Sequence, residues 1–271
     1  MIRSRSPVRA GRMYVEALMT SLSHRDWTII ESVHALTMLT GGQLERLLFP
    51  LITSSRSRSV VRWRTLKRLV DARVLHAFPF PGRRAGSAER CYTLGSAGRR
   101  LMQVRANLAG RGHVRRPDSP GERFMLHTLA TSELYVALVE CSALHGMIVD
   151  RYLVAQAATW TLVHGGLMRP DALCVLRHEA VRDYWWIEID RATESLPTIR
   201  RKLCTYLAFV EGGQLGPDGI VPRVLFACPT DERCAAIRRE IQGLPEPASV
   251  MFCVATHQAA PDFLVRELMG T

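Results

Sequence analysis

Apolar positions recur at helical spacing through most of the first hundred residues and shorten into strand-length runs further on. From His24 the chain reads H-R-D-W-T-I-I-E-S-V-H-A-L-T-M-L. Trp27, Ile30, Val33 and Leu36 fall near one helical face, with Asp26 in the opening turn. Thr40-Gly41-Gly42 interrupts the pattern, a short second helix follows over 43–49, and Pro50 stops it. After the polar stretch 53–59, V-V-R-W-R-T-L-K-R-L-V predicts a third helix whose apolar stripe is Val61, Leu66, Leu69 and Val70. H-A-F-P-F-P-G-R-R-A-G-S-A-E-R-C-Y-T-L then reads as a β-hairpin with its tip at 82–86. A further helix is expected over 99–104.

Past residue 122 the pattern changes. A long helix over 124–145 carries His127, Leu134, Leu138 and Cys141 on its apolar face, with Glu133 on the flank. Strands are expected over 147–155, 167–176 and 184–190. Ser195 can cap a helix with Pro197 in its first turn and Leu196, Ile199, Leu203, Tyr206 and Val210 as its stripe. A strand at Arg223–Cys228, a helix at Asp231–Gln242 and a last strand over 250–256 complete the series. The order α-β-β-β-α-β-α-β predicts a mixed sheet with helices on both faces. The fold class expected is therefore α+β. A basic tail (1–23) precedes a winged helix-turn-helix (24–104). A Gly-, Pro- and Arg-rich linker (105–122) joins that to a mixed-sheet domain (123–271).

Charge sharpens this division. Residues 1–121 hold 22 Arg and Lys against 7 Asp and Glu, a balance of +15, whereas residues 122–271 hold 14 against 18, a balance of −4. A basic front half suggests contact with a polyanion. On the third helix Arg58, Arg62, Arg64, Lys67 and Arg68 are candidates for that contact, with Arg83 and Arg84 at the hairpin tip. In a winged helix the third helix enters the major groove and flanking basic groups hold phosphates. Double-stranded DNA is the expected partner, with homodimerisation left open. The seven cysteines form no C-x-x-C pair and mostly sit in apolar runs, which argues against zinc and for a reducing cytoplasm. No apolar run is long enough for a membrane span.

The candidate chemistry lies between Leu167 and Lys202. Asp171 follows Pro170 at the start of an apolar run, and Glu188 and Asp190 are one residue apart in Y-W-W-I-E-I-D-R-A-T-E-S. On a strand both would point to one face. Asp171, Glu188 and Asp190 at the ends of adjacent strands would make a hard-oxygen pocket suited to Mg²⁺ or Mn²⁺. A purely structural reading pairs Glu188 and Asp190 with Arg191, Arg169 or Arg177. No G-x-x-x-x-G-K-[ST] or G-x-S-x-G appears, so ATP hydrolysis and serine-hydrolase chemistry are not expected. Only two lysines occur, Lys67 and Lys202, against 34 arginines, which gives weight to each.

P-D followed by E-x-D resembles the signature of the PD-(D/E)xK nuclease superfamily, whose restriction-endonuclease-like fold has the same element order. The resemblance implies that Asp171 and Glu188 bind Mg²⁺. It also implies a lysine where Asp190 stands, and an aspartate cannot supply that positive charge. Lys202, on the following helix, is the candidate substitute and completes a catalytic set of Asp171, Glu188 and Lys202. More closely, the basic winged helix, R-P-D-A, W-I-E-I-D-R-A-T-E-S and K-L-x-x-Y together resemble the replication-relaxation family over roughly residues 24–256. That resemblance implies a DNA-binding protein of plasmids or other mobile elements, concerned with DNA replication or relaxation. Two functions follow as expectations: a metal-dependent DNA nickase or endonuclease, or a non-catalytic transcription or replication-initiation regulator with a degenerate nuclease fold.

Overall fold

Side-chain caps set the starts of three helices in the front half. The computed structural model describes residues 11–81, 89–108, 121–163 and 165–270, and the chain divides into two units, Met1–Ser132 and Glu133–Thr271. In the first, α1 (Arg12–Ser21) precedes α2 (His24–Leu36). Ser23 caps α2 by accepting from the Asp26 amide while the Asp26 carboxylate accepts from the Ser23 amide, a reciprocal capping box. After β1 (Leu39–Thr40), Thr40 and Gln43 make the same box at the start of α3 (Gly41–Leu48). Ser54 accepts from the Ser57 amide to open α4 (Ser55–Asp71). Then come β2 (Leu75–Pro79), β3 (Arg90–Leu94) and α5 (Ser96–Leu108).

The sheet order is β1-β3-β2, antiparallel throughout. Ile29, Ile30, Val33 and Leu36 of α2 are buried with Leu44 of α3 and Leu66 and Leu69 of α4. Helix, short strand, two helices and a hairpin is an order compatible with a winged helix-turn-helix. Gly95 and Gly98 lie where α5 leaves the hairpin. A Cβ on Gly95 would stand 2.2 Å from the Arg73 carbonyl oxygen, and one on Gly98 2.1 Å from that of Val74. Only glycine lets these backbones meet.

Three local expectations change. The third helix starts at Ser55 instead of Val60. Within the stretch read as a tail, Arg12–Ser21 is a helix that buries Val15 and Leu18. Residues 105–108 of the expected linker belong to α5. The remainder of the linker at 109–120, the tail's first ten residues and the hairpin tip with Arg83 and Arg84 lie outside the described residues.

α6 (Glu122–His145) spans the division between the units. The second unit continues with β4 (Ile148–Val154), the small β5 (Trp160–Thr161) and β6 (Leu167–Met168) hairpin, β7 (Ala172–His178) and β8 (Val181–Ile189). It ends with α7 (Leu196–Glu211), β9 (Arg223–Cys228), α8 (Asp231–Gln242), α9 (Ala248–Met251), β10 (Phe252–Thr256) and α10 (Ala260–Met269). The five-stranded sheet runs β10-β9-β8-β7-β4, with β10-β9-β8 parallel and β8-β7-β4 antiparallel. Strand alternation divides its side chains. Leu173, Val175, Tyr184, Trp186, Val224 and Phe226 share a core with Ile199, Leu203 and Tyr206 of α7 and Cys234 and Ile237 of α8. On the other face Trp185 meets Phe263 of α10 edge to face. The strand expected over 167–176 is in fact two, β6 and β7, separated at Pro170-Asp171.

Candidate functional site

On α4 the arginines do not all face outward. Arg58 Nε and Arg62 Nη1 lie 3.1 and 3.0 Å from the Glu45 carboxylate of α3. Arg68 reaches the buried Asp26 at 2.5 Å. Burial works against the Asp26 charge, but hydrogen bonds from Ser23 and Arg68 outweigh it and hold the carboxyl below its ordinary value. Three of the five candidate DNA contacts on this helix thus pin the three-helix core together. Lys67 pairs at the surface with Asp71, 2.6 Å away, and Arg64 is exposed with no ion pair among the described residues. Arg56, which sequence reasoning passed over, stands likewise exposed on the same side.

In the second unit Asp171 precedes β7 on the alternation of Leu173 and Val175, and Glu188 lies on β8 on that of Tyr184 and Trp186. Both carboxylates therefore belong to the sheet face covered by α7 and α8. The Asp171 Oδ2 accepts from the Ile189 amide at 2.7 Å, while its own amide donates to the Ile187 carbonyl. This ties the start of β7 to the end of β8. Glu188 is 3% exposed. Its Oε1 accepts from the Tyr206 hydroxyl at 2.6 Å and its Oε2 from Lys202 Nζ at 2.9 Å. Lys202 also lies 3.1 Å from Glu194 Oε2. Arg201, one residue earlier, is exposed and donates to Thr198 Oγ1.

The electrostatics follow from this packing. Burial raises the Glu188 carboxyl, the Asp171 charge raises it further, and Lys202 and Tyr206 pull it back only in part, leaving it at about 7. Burial would lower Lys202, but the charges of Glu188, Asp171 and Glu194 overcome it and hold the ammonium above its ordinary value. The cluster thus keeps a fixed cation beside a carboxyl that gives up its proton reluctantly.

Asp190 takes another course. It lies just beyond β8 and is 5% exposed, and its two carboxylate oxygens accept from Arg233 of α8 at 2.6 and 3.1 Å. The same guanidinium donates to the Glu194 carbonyl at 2.8 Å, and Asp190 Oδ1 accepts from the Ala192 amide. Asp190 therefore fastens the loop that carries Glu194, and the three-carboxylate pocket expected from the sequence is not assembled. Among the described residues no group of three or more His, Cys, Asp or Glu is placed to hold a metal. The cations that meet Glu188 and Asp190 are Lys202 and Arg233, whereas Arg177, one of the partners the structural reading offered, lies beside Asp150. Ser195, expected to cap α7, makes no cap bond and instead shares a hydrogen bond with Thr198.

The family model for replication-relaxation proteins matches residues 30–224. The chain belongs to the replication-relaxation family. The match takes in α4, β7, β8 and α7, and so every residue of the Glu188 cluster; Arg233 lies beyond it. No curated protein and no solved structure matches the chain. Membership points to a role in replication or relaxation of plasmid or mobile-element DNA and implies interaction with DNA. Among the described residues no helix is long and apolar enough to cross a membrane.

Two partners in this site escaped sequence reasoning. Glu194 sits in the polar run T-E-S, where a carboxylate reads as solvent-facing, and Arg233 lies 43 residues from Asp190. Tyr206, four residues after Lys202 on α7, was visible in the apolar stripe and in K-L-x-x-Y, but not as a hydrogen-bond donor to Glu188. The i, i+4 spacing that places both side chains on one helix face was the available signal.

Proposed function

We propose that the protein binds double-stranded DNA through the first unit and cleaves one strand of it at the Asp171–Glu188–Lys202 cluster, with Mg²⁺ or Mn²⁺. The observation that carries this reading is the Lys202 ammonium 2.9 Å from Glu188, which restores on α7 the positive charge missing at Asp190. Two neighbouring carboxylates suffice for Mg²⁺, which keeps several waters and takes further ligands from phosphate. Asp171 and Glu188 would hold the ion, which supplies an activated water and charge neutralisation at the phosphate. Tyr206 fixes the orientation of Glu188 by donating to Oε1. Lys202 bears the fixed positive charge against the negative charge that develops on the phosphate oxygens. Glu194, 3.1 Å from the Lys202 ammonium, would keep Lys202 protonated and in position with the ion bound.

A second reading rests on the same carboxylate. Both Glu188 oxygens are already bonded inside the protein, as in a site retained for structure, and this favours a non-catalytic replication or transcription regulator. Incubation of the purified full chain with supercoiled plasmid separates the two. The nuclease reading expects Mg²⁺- or Mn²⁺-dependent nicked circles, loss of nicking in Asp171→Ala, and a loss of roughly a hundredfold or more in Lys202→Ala. Plasmid that is bound but stays supercoiled with either metal leaves the regulator.

A further inference from the structure

The outward face of α4 is not simply basic. At 100° per residue, Arg56, Val60, Trp63, Arg64, Lys67 and Asp71 fall within one arc, opposite the side that carries Arg58, Arg62, Leu66 and Leu69. Trp63, at the middle of the helix, is 60% exposed and Val60, one turn earlier, 40%. Single exposed apolar side chains are ordinary. An indole and an isopropyl group side by side, framed by Arg56, Arg64 and Lys67, are a composite surface. With Arg58, Arg62 and Arg68 turned to carboxylates, that surface is what α4 offers a ligand.

We propose that Trp63 and Val60 read thymine, packing against its 5-methyl group in the major groove while Arg56 and Arg64 meet the flanking phosphates. The proposal rests on the reading of α4 as the helix that contacts DNA. Base edges in the major groove offer hydrogen-bonding groups and one apolar group, the thymine methyl. A valine can make no hydrogen bond there and a tryptophan can only donate one. In an intact duplex the base faces are stacked on one another and closed to the indole. The methyl is the chemistry left for this pair to recognise. The flanking cations favour a polyanion over an apolar protein surface as the occupant.

The test starts from duplexes selected by the full-length protein from a random 30-bp pool at one fixed salt concentration. The selected duplex is then remade with deoxyuridine for thymidine, which removes the methyl and keeps every base-pair hydrogen bond. The proposal expects the selected sites to contain fixed A·T pairs and the uridine version to bind about fourfold more weakly for each methyl buried. Trp63→Ala should lose most of the difference between the two versions and bind the thymidine duplex close to the level of the uridine one. Because the side chain is exposed, its melting temperature should match the wild type. Val60→Ser should give a smaller loss of the same kind. Selected sites without fixed A·T pairs overturn the proposal, as do equal affinities for the two duplexes, or a thymine preference that is undiminished in Trp63→Ala. Failure of the wild type to retain any duplex would refute the DNA reading itself, which a loss of methyl dependence alone does not.

Discussion

Glu45 on α3 and Glu188 on β8 are both largely buried carboxylates, and their surroundings differ in kind. Glu45 is met by two guanidiniums, Arg58 and Arg62, so its negative charge is over-compensated. Glu188 is met by one ammonium and one phenol, with a second carboxylate, Asp171, acting against it. The first arrangement holds two helices together and leaves nothing to add. In the second, two carboxylates act against each other beside one ammonium, and the proposed divalent cation would relieve that opposition. Asp190 shows that the contrast belongs to environment and not to residue type. Two positions after Glu188, and on the same strand alternation, it is paired off as Glu45 is.

The comparison can be pressed hardest at that pair. Arg233→Ala leaves Asp190 buried without its cation, and removal of one partner from such a pair costs about 3–5 kcal/mol. Denaturant unfolding should show a loss of that size. The Glu194 loop should loosen as well, so any cleavage that depends on Lys202 should fall alongside stability. If Arg233→Ala unfolds like the wild type, Asp190 is not held as described.

Next in size is the pH dependence of the metal-free protein. The folded Glu188 carboxyl titrates at about 7 against an ordinary 4.5, so between these values the folded state keeps a proton that the unfolded state has released. Stability from this group is therefore present below about pH 4.5 and declines as pH rises to 7, by roughly 3 kcal/mol at most. Glu188→Gln should flatten that decline when unfolding is followed in chelator across pH 4.5–8. An unchanged slope would place the proton elsewhere.

Smaller effects should separate the two roles on α4. Glu45→Gln releases Arg58 and Arg62 from partly exposed pairs, costs about 1 kcal/mol and leaves the salt dependence of DNA binding unchanged. Arg64→Glu should do the reverse. It should leave the melting temperature alone and lower the slope of log K against log salt by about 0.9, the value for one neutralised phosphate. A slope change in the first variant and none in the second would invert the assignment of the two faces.

How much of this was legible in the sequence depended on the distance over which each feature is set. β9 and α8 were readable to the residue, because their apolar periods begin and end at turn or capping residues. The start of α4 was hidden, because its first turn is a Ser-Arg repeat capped by Ser54 and the apolar stripe begins only with the valines. α10 was not anticipated, although Pro261 and the stripe Leu264, Val265 and Leu268 mark it. Asp171, Glu188 and Lys202 could be brought together from strand ends and one helix face. That Asp190 would choose Arg233 could not, because the choice depends on where α8 packs. On α4 the arginine count was visible, and which arginines the carboxylates of α2 and α3 would take was not.

If Asp171 and Glu188 form a pair short of positive charge, a divalent cation should stabilise the fold, and thermal unfolding of the full chain with Mn²⁺ tests this most directly. A metal that binds only the folded state stabilises it by RT ln(1 + [L]/Kd), about 2.7 kcal/mol at a hundredfold excess over Kd. Millimolar Mn²⁺ should raise the melting temperature of the wild type at pH 8. Glu188→Gln and Asp171→Asn should each abolish most of that rise, and Lys202→Ala should keep or enlarge it. A wild-type protein that melts at the same temperature with and without Mn²⁺ would contradict the account and leave the Glu188 cluster as structure alone.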